Sequence, residues 1–142
     1  MNKKDVISLI NKNPIFYLAT LEDSYPRVRG MLLYKADETG IYFHTGSFKN
    51  VYKQIIKYSK SEVCFNCEGG TQIRISGEVT EVSDDNLRDE IIKHPSRGFL
   101  REWIDTGKFN YREFIVFKLV YNEATVWRME KNFQESEIIN MS

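Results

Sequence analysis

The chain is poor in the residues that staple a fold or carry out acid–base chemistry. Of its 142 residues, two are cysteine and two are histidine. A structural zinc site normally needs four ligands, and Cys64, Cys67, His44 and His94 are all that the sequence offers. Cys64-Phe65-Asn66-Cys67 has the spacing of a redox pair. Such a pair normally opens a helix, whereas this one ends a strand pattern, so both thiols read as core or strand-end residues. No Ser-His-Asp order stands out among so few histidines, and the glycine-rich dinucleotide fingerprint is missing. Charge of either sign is not in excess: 20 basic residues face 20 acidic ones. This argues against a dedicated nucleic-acid binder and leaves little electrostatic defence against self-association. No apolar run approaches the roughly 20 residues of a membrane span. Residues Met1 to Asn13 carry charge and lack both a long apolar stretch and a small-residue cleavage site. The expectation is a cytoplasmic protein in a reducing compartment, with neither membrane nor nucleic acid as a partner.

What is present is a core. Hydrophobic residues make up 42% of the chain and aromatic residues 13%, enough for one domain over residues 1–142 without staples. Val6, Ile7, Leu9 and Ile10 share a helical face, and Asn13-Pro14 ends that helix because a residue before proline leaves the helical region. Ile15–Thr20, Arg27–Tyr34 and Ile41–Thr45 read as strands, separated by turn chemistry at Glu22–Pro26 and Asp37–Gly40. Ser47 is positioned to cap a helix carrying Phe48, Val51, Tyr52 and Ile55. Glu62–Asn66, the turn Gly69-Gly70 and the long strand Thr71–Val82 follow. On that strand Ile73, Ile75 and Val79 face one side, with Gln72, Arg74, Ser76 and Glu78 on the other. Ser83 is the expected cap of a helix through Ile92, stopped at His94-Pro95, and Asp84-Asp85 suit its positive end. A short helix spans Gly98–Thr106. Glu113–Tyr121 and Thr125–Met129 read as a hairpin turned at Asn122-Glu123, and the tail after Glu130 shows little core pattern. Successive strands with helices between them predict a mainly β fold: an antiparallel barrel with peripheral helices. The aromatic set Phe99, Trp103, Phe109 and Tyr111 fits core or dimer surface, and one member could line a substrate pocket.

Chemistry concentrates between Arg27 and Lys49. Arg27 and Arg29 share a strand face and can supply a forked phosphate contact. The turn Thr45-Gly46-Ser47 leads into a helix start carrying Lys49, and helix starts offer free N–H groups to anions. The same residues also fit an edge strand followed by an ordinary helix cap. His44 beside the turn is either a strand-end histidine bonded to backbone or a ligand-proximal group.

Taken in order, Arg29-Gly30-Met31-Leu32-Leu33-Tyr34, Tyr42-Phe43-His44-Thr45 and Ser47-Phe48-Lys49 resemble the FMN-binding signature of the pyridoxamine 5′-phosphate oxidase-like proteins. Gln72, within Thr71–Gly77, resembles that family's flavin-contacting glutamine. The resemblance covers Pro14 to Val82 well and the remainder weakly. It implies an antiparallel split β-barrel that binds FMN as a homodimer, with the flavin at the subunit interface. Arg29 to Tyr34 would run along the flavin, Thr45, Ser47 and Lys49 would hold its phosphate, and Gln72 would address the ring. Trp127 would reach it from the second subunit. Three departures bear on activity. Tyr34 stands where the oxidases proper carry a lysine that meets the substrate phosphate. Phe48 stands where the phosphate turn carries an arginine, and that turn is two residues shorter. Nothing after Trp127 matches their C-terminal arginine and histidine elements. The chain looks closer to the short branch that includes nitroimidazole-resistance proteins. The implied function is an FMN-dependent oxidoreductase on a small organic molecule, nitroaromatics among them, rather than a true pyridoxamine 5′-phosphate oxidase. A non-catalytic flavin-binding or redox-sensing module, or the same fold holding a deazaflavin or haem, is the competing reading.

Overall fold

A computed structural model describes residues 1–142. Helix α1 (Lys3–Asn11) opens at Asn2, whose side chain accepts the Asp5 N–H while the Asp5 carboxylate accepts the Asn2 N–H. This reciprocal box satisfies two donors that a helix start leaves free. Strands β1 (Ile15–Glu22) and β2 (Tyr25–Leu32) form an antiparallel pair. Short β3 (Lys35–Asp37) pairs with β4 (Gly40–Gly46), and α2 (Asn50–Lys57) leads to β5 (Lys60–Cys67) and β6 (Thr71–Glu81). Helices α3 (Asp85–Lys93) and α4 (Gly98–Asp105) precede the long β7 (Phe114–Arg128) and the terminal β8 (Glu137–Asn140).

The sheet runs β2-β1-β5-β6-β7-β4-β3, with β8 added to β7. β2 and β3 are consecutive in the chain yet lie at opposite ends of this order. Leu33 and Tyr34, between them, close the seam: the Leu33 N–H donates to Pro14 O at 2.7 Å and the Tyr34 N–H to Tyr42 O at 2.8 Å. The sheet is therefore bent into a split barrel. Alternating residues such as Phe16, Leu18, Phe43, Phe65, Ile73, Ile75 and Phe117 fill its interior, as the period of two in a strand requires. A smaller cluster of Ile91, Leu100, Phe114 and Val116 fastens α3 and α4 to β7.

Four sequence expectations are corrected. The strand expected over Arg27–Tyr34 ends at Leu32, because the next two residues turn to the far edge of the barrel. Ser47 does not cap α2: Lys49 occupies that position without a side-chain cap bond, after a turn in which its N–H meets Gly46 O. Asp84, not Ser83, caps α3 by accepting the Asn86 and Leu87 N–H groups. No hairpin turns at Asn122-Glu123. β7 runs straight through as 15 residues, and Asn122 is the extra residue of a β-bulge opposite Ser76 and Gly77. A polar pair inside a strand signals a bulge as readily as a turn. Gly77 is required there, since a Cβ would lie 2.2 Å from Val120 O.

The tail also differs from expectation. β8 pairs with β7 from Glu123↔Asn140 to Val126↔Glu137, and Met141 is fully buried. Met141→Ala is expected to lower the unfolding free energy by about 2–5 kcal/mol, as for other buried methionines. Phe133→Ala, at a side chain that is 100% exposed, should change it by less than about 0.5 kcal/mol. Urea denaturation measures both, and a Met141→Ala protein as stable as the parent would remove β8 from the folded core.

Candidate functional site

Closing the seam brings β2 alongside β4, and a cleft of about 670 Å³ opens between them and α4. That volume is in the range of small-molecule sites. Arg29, Gly30, Met31 and Leu32 line it from β2; His44 and Thr45 line it from β4, and Lys49 from the turn that follows. The opposing wall is apolar: Phe48, Phe99, Trp103 and Phe109, with Lys108 between them in the chain loop after α4. Phe48 meets Phe109 edge-on at 6.1 Å. Its ring also lies over Gly46, where a Cβ would fall 2.6 Å from it, so a larger residue there would displace the Phe48 ring. No aspartate or glutamate lines the cleft, whereas Arg29, Lys49 and Lys108 do. By contrast, the hollow of about 410 Å³ between β6, α3 and β7 sets Arg88 and Arg112 against Glu81 and Asp85.

Arg29 is held by neutral partners. Its guanidinium donates to Thr20 Oγ1 at 2.7 Å, to Leu18 O at 3.1 Å and to Gln54 Oε1 at 2.6 Å. Gln54 in turn accepts the Thr20 hydroxyl at 2.6 Å and donates to Glu22 at 3.0 Å. The Gln54 hydrogen bond, with the adjacent Arg27, holds the Glu22 carboxyl below the usual carboxylate range. Arg27, expected to share the phosphate contact, is instead engaged by Glu22 at the surface. Burial lowers the Arg29 pKa, but a guanidinium stays charged. The network fixes the guanidinium at the cleft rim with no carboxylate bonded to it directly; Glu22 is reached only through Gln54.

His44 is the second fixed group. Arg97, itself 3% exposed, donates from Nε to His44 Nε2 at 2.9 Å and from Nη2 to Leu33 O at 2.9 Å. Burial, and then the Arg97 charge, push the His44 pKa down to about 4.

Five sequence-predicted site residues do not line the cleft. Leu33 is core. Tyr34 turns to α3, donating its hydroxyl to Glu90 at 2.7 Å, and burial with that bond pushes its pKa up to about 12. Ser47 sits in the turn with its N–H given to Glu113 O. Gln72 and Trp127 are direct partners across β6 and β7. Gln72 donates to Asn66 at 2.9 Å and Trp127 to Asn132 at 3.0 Å. Thr20, Gln54, Arg97 and Lys108 were not foreseen. Gln54 had a signal: it lies three residues after Val51 and one before Ile55, on the buried stripe of α2, where a polar residue needs a partner. Arg97 and Lys108 follow no periodic pattern. Cys64 and Cys67 are free thiols on opposite faces of β5.

An eight-stranded antiparallel split barrel with a cationic, carboxylate-free cleft at its seam defines the class of protein. The chain belongs to the pyridoxamine 5′-phosphate oxidase family, whose model it matches over residues 3–126. It is 32% identical over 88 residues to the pyridoxine/pyridoxamine 5′-phosphate oxidase of Brucella ovis, across 61% of this chain and 42% of that protein. It thus spans less than half the length of the curated relatives it matches. A NimC/NimA family protein from Clostridium acetobutylicum superposes with a TM-score of 0.73 at 22% identity, over 96% of this chain and 91% of that one. A pyridoxamine 5′-phosphate oxidase-related, FMN-binding protein from Nostoc punctiforme superposes with a TM-score of 0.68 at 17% identity, over 95% and 93%. At these identities the likeness is one of fold.

The His44 environment generates a pH dependence. Unfolded, the ring titrates near 6.5; folded, near 4. Between those values the unfolded chain binds the extra proton and the folded one does not, so stability falls as pH drops from about 6.5 to 4. The loss from this group is on the order of 3 kcal/mol. Urea midpoints across pH 4–7 for the parent and for His44→Asn measure it. The acid-side loss should be smaller in the variant, and equal losses would contradict the depressed value.

Proposed function

We propose that the chain binds FMN in this cleft and acts as an FMN-dependent oxidoreductase on a small organic molecule. The observation that carries the reading is the charge of the cleft. A chain with equal numbers of acidic and basic residues lines it with Arg29, Lys49 and Lys108 and with no carboxylate. Such a site favours a dianion. The aromatic wall opposite suits a flat ring system. Arg29 and Lys49 would hold the phosphate, with Thr45 as a hydroxyl donor. Lys108, from the loop after α4, adds a cation to the cleft, whereas Phe48 stands where the resemblance leads one to expect an arginine. Bound FMN would supply the hydride chemistry. The chain's own residues bind, orient and exclude water, and none of them is aimed into the cleft as a free carboxylate base.

The reading extends to a homodimer. β1 and β2 expose Ile15 and Tyr17, at 65% and 46%, beside Val28 at 69%, on one face by register. Apolar patches of this kind mark association surfaces. Gln72 and Trp127 lie outside the chain's own cleft, and on this reading they act on the flavin of the partner. A two-fold assembly would supply both sites at once. Pyridoxamine 5′-phosphate is a poor substrate on this reading, because Tyr34 supplies no cation and is committed to Glu90. Steady-state turnover of that compound in the ordinary range, about 1–1000 per second, would contradict it.

Calorimetric titration of the apo-protein tests the binding claim. One FMN per chain is expected, with riboflavin much weaker. Lys49→Ala should cost about 1.5–3 kcal/mol of FMN affinity, the worth of a charged hydrogen bond, and leave riboflavin unchanged. Lys12→Ala, outside the cleft, should have no effect. Equal affinity for FMN and riboflavin would mean that the phosphate is not held here.

A further inference from the structure

The contact between Arg97 and His44 determines which ring nitrogen carries the proton. An arginine Nε always bears hydrogen, and Arg97 Nε–H donates to His44 Nε2 at 2.9 Å. Nε2 must therefore present a lone pair, which leaves the single proton of the neutral ring on Nδ1. That atom makes no hydrogen bond within the chain, yet it is not sealed away: the only buried side-chain nitrogen or oxygen without a partner is Arg88 Nε. His44 lines the cleft, and an acceptor from outside the chain can reach Nδ1 there. Phe114 packs against the ring at 5.4 Å, and Val116 is its partner across β4 and β7. Arg97 is the charged group against it, and Arg29, Lys49 and Lys108 are those that share the cleft.

Arg97 is in turn over-determined. Its Nη2 donates to Leu33 O at 2.9 Å and its Nη1 to Ser96 Oγ at 2.9 Å, and its guanidinium lies 5.5 Å from the centre of the Tyr34 ring. A buried cation without a carboxylate partner is expensive to keep. Its bonds here reach both the seam backbone and the one histidine at the cleft.

We propose that Arg97 is a positioning residue that locks His44 in the Nδ1–H tautomer, making His44 a permanent hydrogen-bond donor into the cleft for an acceptor oxygen or nitrogen of the bound flavin. The ligand half of this inference rests on the flavin reading above; the Arg97–His44 half does not. Protonation of His44 would set N–H against N–H at Arg97; burial first, and then the Arg97 charge, hold the ring neutral.

The chain carries its own internal control. The Ser96 N–H donates to His94 Nδ1 at 3.1 Å, so the neutral His94 ring carries its proton on Nε2. The chain's two histidines are thus expected to show opposite tautomers in long-range proton–nitrogen correlation spectra, with His94→Asn assigning the signals. In Arg97→Gln the His44 signals should become a mixture of tautomers and titrate at higher pH. Should that variant fail to fold, two others decide the ligand half. An asparagine amide nitrogen can stand near Nδ1 and a glutamine amide nitrogen near Nε2. His44→Asn is therefore expected to keep FMN affinity within about threefold of the parent and His44→Gln to lose about tenfold, one hydrogen bond's worth. A parent His44 bearing its proton on Nε2 overturns the proposal, and equal affinities of the Asn and Gln variants overturn its ligand half. A parent that binds no flavin but shows the Nδ1–H ring overturns the flavin reading and supports the Arg97–His44 assignment.

Discussion

Leu33 and Tyr34 connect two strands that sit at opposite ends of the sheet, and the rest of the structure depends on that connection. With their N–H groups given to Pro14 and Tyr42, the edge carrying Arg29 is brought to the edge carrying His44 and Thr45. Without it, β2 and β4 would be separated by the whole width of the sheet. The cleft is a property of closure, and Arg97 reinforces the closure from inside by bonding the Leu33 carbonyl and the His44 ring together.

The second constraint is charge without counter-charge. Arg97 is buried and Arg29 partly so, and both are bonded to neutral oxygens or nitrogens. Burial of an unpaired cation opposes folding, so the structure keeps its positive potential at some cost to stability. No carboxylate bonds either guanidinium directly; the nearest in the Arg29 network is Glu22, which bonds Gln54. Thr20, Gln54, His44 and the Leu33 carbonyl satisfy the donors while leaving the charge available to an anion in the cleft. Sites of this kind are preorganised at the expense of the empty protein.

The barrel was legible in the sequence because its signals are local. Ile15–Thr20 and Ile41–Thr45 were read as strands, the faces of the long strand from Thr71 were read correctly, and so was the amphipathic α1. Three features were not legible, each for a physical reason. The break after Leu32 depends on hydrogen bonds to Pro14 and Tyr42, one on each side of it in space. Asn122-Glu123 has turn chemistry, but β6 and β8 hold that stretch extended as a bulged strand. The tail lacks a pattern of its own because Ile139 and Met141 are buried by a neighbour, β7, rather than by their own periodicity. The site divides in the same way. Arg29, Thr45 and Lys49 lie close in the chain and were found together. Arg97 meets His44 across 53 positions of sequence, and no spacing rule reaches that far.

The central claim is that the seam cleft is the seat of a phosphate-bearing flavin. The structure of the protein crystallised with FMN tests it most directly. The account predicts the FMN phosphate within hydrogen-bond distance of Arg29 or Lys49 inside the cleft, and an acceptor atom of the flavin at His44 Nδ1. An FMN seated elsewhere on the barrel, or a cleft filled by an apolar ligand with Arg29 and Lys49 turned to solvent, would contradict it.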